Sequence, residues 1–133
     1  MQAYAWTTIA TVAALLTYFF MGLRVAGARE RFKVPAPAIT GDPIFERHFR
    51  VHMNALEWLP IFLPALWLFA LFWRDDLAAA LGAVWIIGRL VYMAAYVKDP
   101  SKRTAGFAIQ ALATLVLLVG ALAGAVMALV GAA

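Results

Sequence analysis

The sequence predicts an all-α membrane protein, a bundle of four transmembrane helices with almost nothing left over for a soluble domain. Three observations predict it. Of the 133 residues, 65% are hydrophobic and only 14% are charged, whereas a soluble domain of this size would be roughly half apolar. Four apolar stretches, residues 3–23, 51–73, 77–97 and 105–133, are interrupted by charge only at Glu57 and Arg89. Each reaches the roughly 20 residues that a helix needs to cross a bilayer. The expected spans are 3–27, 44–73, 77–98 and 103–131, in a single domain over 1–133.

The first stretch has no basic residue before it and is too long for the core of a signal peptide, so it reads as a span. Helix one should run into a loop, VPAPAITGDP, that closes on the turn signal Gly41-Asp42-Pro43. Helix two should start at Pro43, since proline suits a first helical turn. A helix from there to Trp73 is about 45 Å long at 1.5 Å per residue, well beyond a hydrocarbon core of about 30 Å. Its charged first turns must therefore stand in the interface, and Pro60 and Pro64 are expected to kink it. The link to helix three, WRDD, is short enough to make helices two and three antiparallel neighbours. Pro100 ends helix three, and helix four starts near Ser101–Thr104. Gly120 and Gly124 form a G-x-x-x-G pattern that lets helices approach closely.

Charge sets the orientation. Arg24, Arg29, Arg31, Lys33 and Arg47 surround the first loop, and Lys98, Lys102 and Arg103 the third; the second has Arg74 beside Asp75 and Asp76. The positive-inside rule puts loops one and three in the cytoplasm and both termini on the opposite side, in a bacterial cell at the inner membrane. The net charge of +4 suits membrane lipids or an anionic small substrate. No aromatic platform is interleaved with the basic residues, so nucleic-acid binding is not expected. With no cysteine, disulfides and thiolate metal sites are excluded, and thiol chemistry needs a thiol brought by the substrate.

The stretch FERHFRVHMNALEW, residues 45–58, carries charge into the second span, where it costs free energy unless paired or hydrated and usually marks function. At 100° per residue, with Arg50 at zero, Asn54 lies at about 40°, Glu57 at about 340°, Glu46 at about 320° and Arg47 at about 60°. They form one stripe. Arg89, Tyr92 and Tyr96 share a face of helix three. Glu57 lies roughly 10 Å deeper than Arg50, and Arg89 roughly 12 Å below the end of helix three, so Glu57 and Arg89 are expected to pair at one level. Such a pair alone could merely fix helix packing. Arg50, Asn54, Tyr92 and Tyr96 exceed that need and look like donors around an acidic ligand, in a pocket open to the cytoplasm. His48 and His52, spaced i, i+4 on the opposite side, could ligate zinc, but no third ligand is visible and no metal site is expected. A contact with another subunit suits His52 better.

The pattern F-E-R-x-F-R-x-H-x-N-x-x-E-W-x-P, followed by R-L-x-Y-x-x-x-Y and a basic residue seven positions on, resembles the membrane-associated proteins in eicosanoid and glutathione metabolism, the MAPEG family. It is most similar to the branch of leukotriene C synthase and the microsomal glutathione transferases. The resemblance implies a homotrimer of four-helix subunits, with glutathione as co-substrate in a cytoplasm-facing site shared between neighbours and no permanently bound cofactor. By position, Arg50, Asn54, Glu57, Tyr92 and Tyr96 match residues that hold the tripeptide, with Trp58 and Arg89 beside them. Arg29 and His52 match positions supplied by the neighbouring subunit, and Arg103 matches the catalytic arginine beside the glutathione sulfur. Relatives commonly have tyrosine at Trp58 and glutamine at His52, so each departure alters one hydrogen-bonding group. Glu30 stands where the synthase has a second loop arginine, with Arg31 following.

The expected function is conjugation of glutathione, activated as a thiolate, to a lipophilic electrophile or lipid, with reduction of lipid hydroperoxides as a companion activity. Two rivals stand beside it. One is a non-catalytic lipid-binding member of the same family, against which Arg103 argues, unless Arg103 is only one more positive-inside residue. The other is a small proton-coupled exporter, which would want a carboxylate in helix one.

Overall fold

The computed structural model describes residues 3–132; positions 1, 2 and 133 of the expected domain lie outside the described residues. Four long helices follow one another: α1 (Ala5–Phe32), α2 (Pro43–Phe72), α3 (Asp75–Lys98) and α4 (Thr104–Ala132), with a 3₁₀ turn, Pro100–Lys102, between α3 and α4. No strand occurs among the described residues. All four are long and apolar enough to cross a membrane. Large apolar side chains such as Leu16, Phe20, Leu68, Leu115, Leu122 and Val130 are exposed along the outside, a surface suited to hydrocarbon rather than water. The chain is an integral, multi-pass membrane protein.

Each helix end has a local cause. α1 continues past the expected residue 27 to Phe32, because its last turn carries Arg29 and Arg31, which complement the helix dipole. It stops at Lys33 in the left-handed conformation, with φ 55°, and the Val34 N–H donates to the Arg29 carbonyl. α2 begins at Pro43 with Asp42 as its cap, whose carboxylate accepts from the N–H groups of Ile44 and Phe45 at 2.8 and 3.1 Å. It continues through Pro60 and Pro64, whose rings lie on its exposed side. α3 starts with Asp75 and Asp76, acids in a first turn where the dipole favours them. Asp75 also caps α1 from outside, accepting from Trp6 N–H at 3.0 Å and from Thr7 N–H at 2.8 Å. This orders the end of the bundle opposite the basic loops.

The core runs along the bundle axis through Ala14, Phe62, Leu66, Ala78, Trp85 and Leu117, with Phe62 and Trp85 stacked at 4.1 Å. Close approaches position α4. A Cβ at Gly106 would collide with the Tyr92 backbone and lie 2.8 Å from the Gly88 carbonyl oxygen, and one at Gly88 would lie 2.7 Å from the Gln110 nitrogen. α3 and α4 therefore meet backbone to backbone, which fixes the start of α4 beside Tyr92. At the other end Gly120 and Gly124 sit against Phe69 and Phe72 of α2, and the Trp73 indole donates to the Gly120 carbonyl at 2.8 Å.

Candidate functional site

The polar residues of α2 and α3 separate into two groups at the end of the bundle that carries the basic loops. The first group is open. Arg50 Nη1 lies 3.0 Å from Glu57 Oε1, and both side chains are 51% exposed. They are seven residues apart on one helix face, so the pair lies along α2 rather than bridging to a neighbour. Arg47, one turn nearer the helix start, donates to the carbonyls of Val97 and Lys98 at 3.1 Å each. It satisfies the last turn of α3 and ties the start of α2 to it.

Arg103 stands immediately before α4, and its carbonyl accepts the Phe107 N–H at 3.1 Å, so it is the N-terminal cap residue of that helix. Its side chain is exposed and has no hydrogen-bond or ion-pair partner among the described residues. The preceding turn is built on Asp99, whose carboxylate accepts from the Ser101 N–H at 3.0 Å and the Ser101 hydroxyl at 2.8 Å. Those bonds, from the hydroxyl first, together with the nearby charges of Lys102 and Arg47, hold the Asp99 carboxyl below the usual carboxylate range.

The second group is closed. Arg89 is 0% exposed. Its Nη1 donates to Asn54 Oδ1 at 2.7 Å and its Nη2 reaches the Val51 carbonyl at 3.5 Å. Its guanidinium carbon lies 4.6 Å from the Tyr92 ring centroid and 5.9 Å from that of Trp85. Two oxygens and two aromatic faces take the place of a counter-ion. The expected Glu57–Arg89 pair is not formed. Arg89 instead meets α2 at Asn54 and Val51, nearer the helix start than Glu57, and depth along an axis does not fix rotation about it. The side of α2 that faces Arg89 carries Asn54 and Val51, at about 40° and 100° on the wheel, while Glu57 is turned about 60° beyond Asn54.

Because Asn54 gives its oxygen to Arg89, its amide NH2 is left to donate elsewhere. Arg89 is in this sense the residue that sets which way Asn54 points. Arg89 Nε, the Trp85 indole nitrogen and both amide atoms of Gln110 are buried without partners. Gln110, on α4, did not stand out in the sequence; the signal that could have found it is a lone amide in an otherwise apolar span.

An aromatic wall joins the two groups. Tyr92 stacks on Tyr96 at 5.4 Å and meets Phe107 at 6.4 Å, and Trp58 meets Phe107 edge-on at 5.5 Å. Arg50, Arg89 and Arg103 all lie close enough to act electrostatically on the Tyr92 hydroxyl. Arg50, Asn54, Glu57, Trp58, Arg89, Tyr92, Tyr96 and Arg103 are thereby brought to one end and one side of α2, α3 and α4. Phe107 is a member of this wall that sequence reasoning missed.

Arg29 and His52 are elsewhere. The Arg29 guanidinium holds its own loop, donating to the carbonyl of Ala38 at 2.6 Å and of Val34 at 3.4 Å, and stands over the Phe45 ring at 4.8 Å. His52 stacks on Tyr18 at 4.5 Å, and a Cβ at Gly22 would lie 3.2 Å from its Nε2. It therefore packs against α1 on the far side of α2 from Arg50. Among the described residues no three His, Asp or Glu side chains converge as metal ligands would.

Comparison with known proteins identifies relatives of the chain. The model of the MAPEG family matches residues 7–123. An uncharacterized protein of Synechocystis sp. is 44% identical over 117 residues, covering 88% of this chain and 85% of that protein. Human microsomal glutathione S-transferase 2 is 39% identical over 104 residues, covering 77% of this chain and 71% of the transferase. Bovine leukotriene C4 synthase is 36% identical over 95 residues, covering 71% of this chain and 63% of the synthase.

Proposed function

The chain belongs to the MAPEG family, and from that premise we propose that it is a membrane-embedded glutathione transferase, activating glutathione as a thiolate and adding it to a lipophilic electrophile that arrives through the bilayer. The observation that carries the reading is a set of charged groups held open to solvent in a chain that is otherwise apolar. Arg50 and Glu57 are paired yet half exposed, and Arg103 is free at a helix N-terminus.

Glutathione carries two carboxylates, one ammonium and a thiol. Guanidinium groups grip carboxylates through paired N–H bonds, which suits Arg50. Glu57 can receive the ammonium, and the NH2 of Asn54, whose oxygen is taken by Arg89, can donate to a carboxylate or a peptide carbonyl. Arg103 then has the thiol to act on. Its own charge and the unpaired N–H groups of the first turn of α4 both favour an anion. A free thiol titrates near 8.5; lowering that by about two units raises the thiolate fraction at pH 7 from roughly 3% to roughly 75%. With a chlorinated aromatic, the thiolate forms the carbon–sulfur bond and chloride leaves. With a lipid hydroperoxide, it takes the outer oxygen and releases the alcohol; a second glutathione then forms the disulfide and releases water.

Arg29 and His52 face away from this cluster within their own chain. The active unit is proposed to be a homotrimer in which these two residues serve the site of a neighbour, with loops one and three in the cytoplasm. Purified protein is therefore expected to conjugate glutathione to 1-chloro-2,4-dinitrobenzene, and the Arg103→Ala variant to lose most of that rate near neutral pH. Mixed trimers of an Arg29→Ala His52→Ala chain with an Arg103→Ala chain should regain part of the rate. Glutathione binding without conjugation would put the lipid-binding reading ahead. Proton-driven drug uptake into vesicles would put the exporter ahead.

A further inference from the structure

A cavity opens on the α1 side of α2, away from the cluster around Arg50. It holds about 180 Å³ and is lined by Arg24, Gly27, Ala28, Arg31 and Phe32 of α1 and by His48 of α2. Two guanidinium groups and an imidazole surround it, and no carboxylate does. Both arginines lie close enough to His48 to act on its ring electrostatically. Neither has a hydrogen-bond or ion-pair partner among the described residues; each rests instead near an aromatic ring, Arg24 5.8 Å from Phe20 and Arg31 5.1 Å from Phe32. Basic groups gathered in a concave space without an acid leave a potential that an anion relieves.

Gly27 strengthens the case. A glycine inside a helix costs stability relative to alanine, and a close contact usually accounts for one. Here a Cβ would meet nothing within 4 Å. What the missing side chain leaves is the cavity itself.

The position along α1 indicates what the anion is attached to. Leu16, Phe20, Arg24, Gly27 and Arg31 fall within an arc of about 80° at 100° per residue. Leu16 and Phe20 are exposed apolar side chains directly below the basic residues on the way into the membrane. One stripe of α1 therefore runs from hydrocarbon-facing to cationic, and this order matches acyl chain and headgroup.

We propose that the cavity between α1 and α2 binds a phosphate group, delivered by an anionic phospholipid whose acyl chains lie along Leu16 and Phe20. Arg24 and Arg31 hold the phosphate oxygens from two sides, His48 closes the third, and Gly27 leaves room for them. The site is independent of the proposed transferase chemistry and uses none of its residues.

The test is retention of lipid by the purified protein. Protein reconstituted in vesicles of equal phosphatidylglycerol and phosphatidylcholine is extracted in mild detergent, and its bound lipid is measured by native mass spectrometry. Each basic residue near a lipid surface favours an anionic lipid by roughly fivefold, so two give about 25-fold for phosphatidylglycerol over phosphatidylcholine. The Arg24→Gln Arg31→Gln variant should fall to near parity. Gly27→Leu should do the same without lowering the melting temperature, since the first atom of the new side chain meets no neighbour and a helix interior favours leucine over glycine. A second arm adds millimolar inorganic phosphate to delipidated protein. A rise in melting temperature that both variants abolish, without selective lipid retention, supports the phosphate site with a soluble source. Equal retention by parent and variants with no response to phosphate overturns the proposal, as happens if a second copy of the chain covers the cavity. Displacement of the lipid by glutathione also overturns it, because the cavity would then belong to the transferase site.

Discussion

Two polar groups stand at one end of this bundle and are built on opposite principles. Arg50 and Glu57 are of opposite charge, lie on one helix face and remain half exposed. Arg89 is fully buried, has no acid, and is held by an amide oxygen, a backbone carbonyl and two aromatic rings. An exposed pair contributes little to stability, typically up to about 1 kcal/mol, because water already solvates both partners. A buried cation has no such alternative, and every bond it makes is needed. On the proposed function, the closed group carries structure and the open group carries chemistry, though both are written in the same kinds of residue.

That contrast is broken most easily at Arg89. Arg89→Ala leaves a core cavity and an unpaired Asn54 oxygen and should destabilise the protein by about 3–5 kcal/mol, read as a large loss of melting temperature in detergent. Asn54→Leu removes one charged hydrogen bond and should cost about 2–3 kcal/mol. Adding Arg89→Met to it should recover part of that loss, since the unpaired charge is gone. Glu57→Ala should change stability by less than about 1 kcal/mol while weakening glutathione binding strongly. A Glu57→Ala variant as unstable as Arg89→Ala would collapse the distinction and restore a buried Glu57–Arg89 pair.

The smallest effect lies in the turn before Arg103. The Asp99 carboxyl is held below its usual range, first by the Ser101 hydroxyl. Its contribution is complete above the unfolded value near 3.9 and is lost as pH falls through the lower folded value. Between about pH 5 and pH 3, the melting temperature of Asp99→Asn should therefore fall less steeply than that of the parent.

How much of this was legible in the sequence differs by residue. Four spans follow from apolar length alone, and the start of α2 follows from Asp42-Pro43. The stripe of Arg50, Asn54 and Glu57 is a matter of helical period. The partner of Arg89 was not legible, because residue counts along two antiparallel helices give depth but not rotation. Rotation is set by packing: Gly88 against Gln110 and Gly106 against Tyr92, contacts between residues that no local pattern links. Arg29 shows the same limit, since its hydrogen bonds depend on how the Pro-rich loop folds back to present the Ala38 carbonyl. The third-loop arginine was easier. Pro100 announces a new helix start, and Arg103 follows within one turn.

The central claim is that the open group binds glutathione and that Arg103 holds its sulfur as a thiolate. A thiolate absorbs in the ultraviolet near 240 nm, a general property of ionised thiols, and a protonated thiol does not. Glutathione added to the purified protein at pH 7 should therefore produce a new absorbance band that saturates with occupancy of the site. In Arg103→Ala, glutathione should still bind within a few-fold of the parent affinity, but the band should be absent at pH 7 and appear only as pH rises past about 8.5. A band of equal height at pH 7 in the parent and in Arg103→Ala, at matched occupancy, would contradict the account.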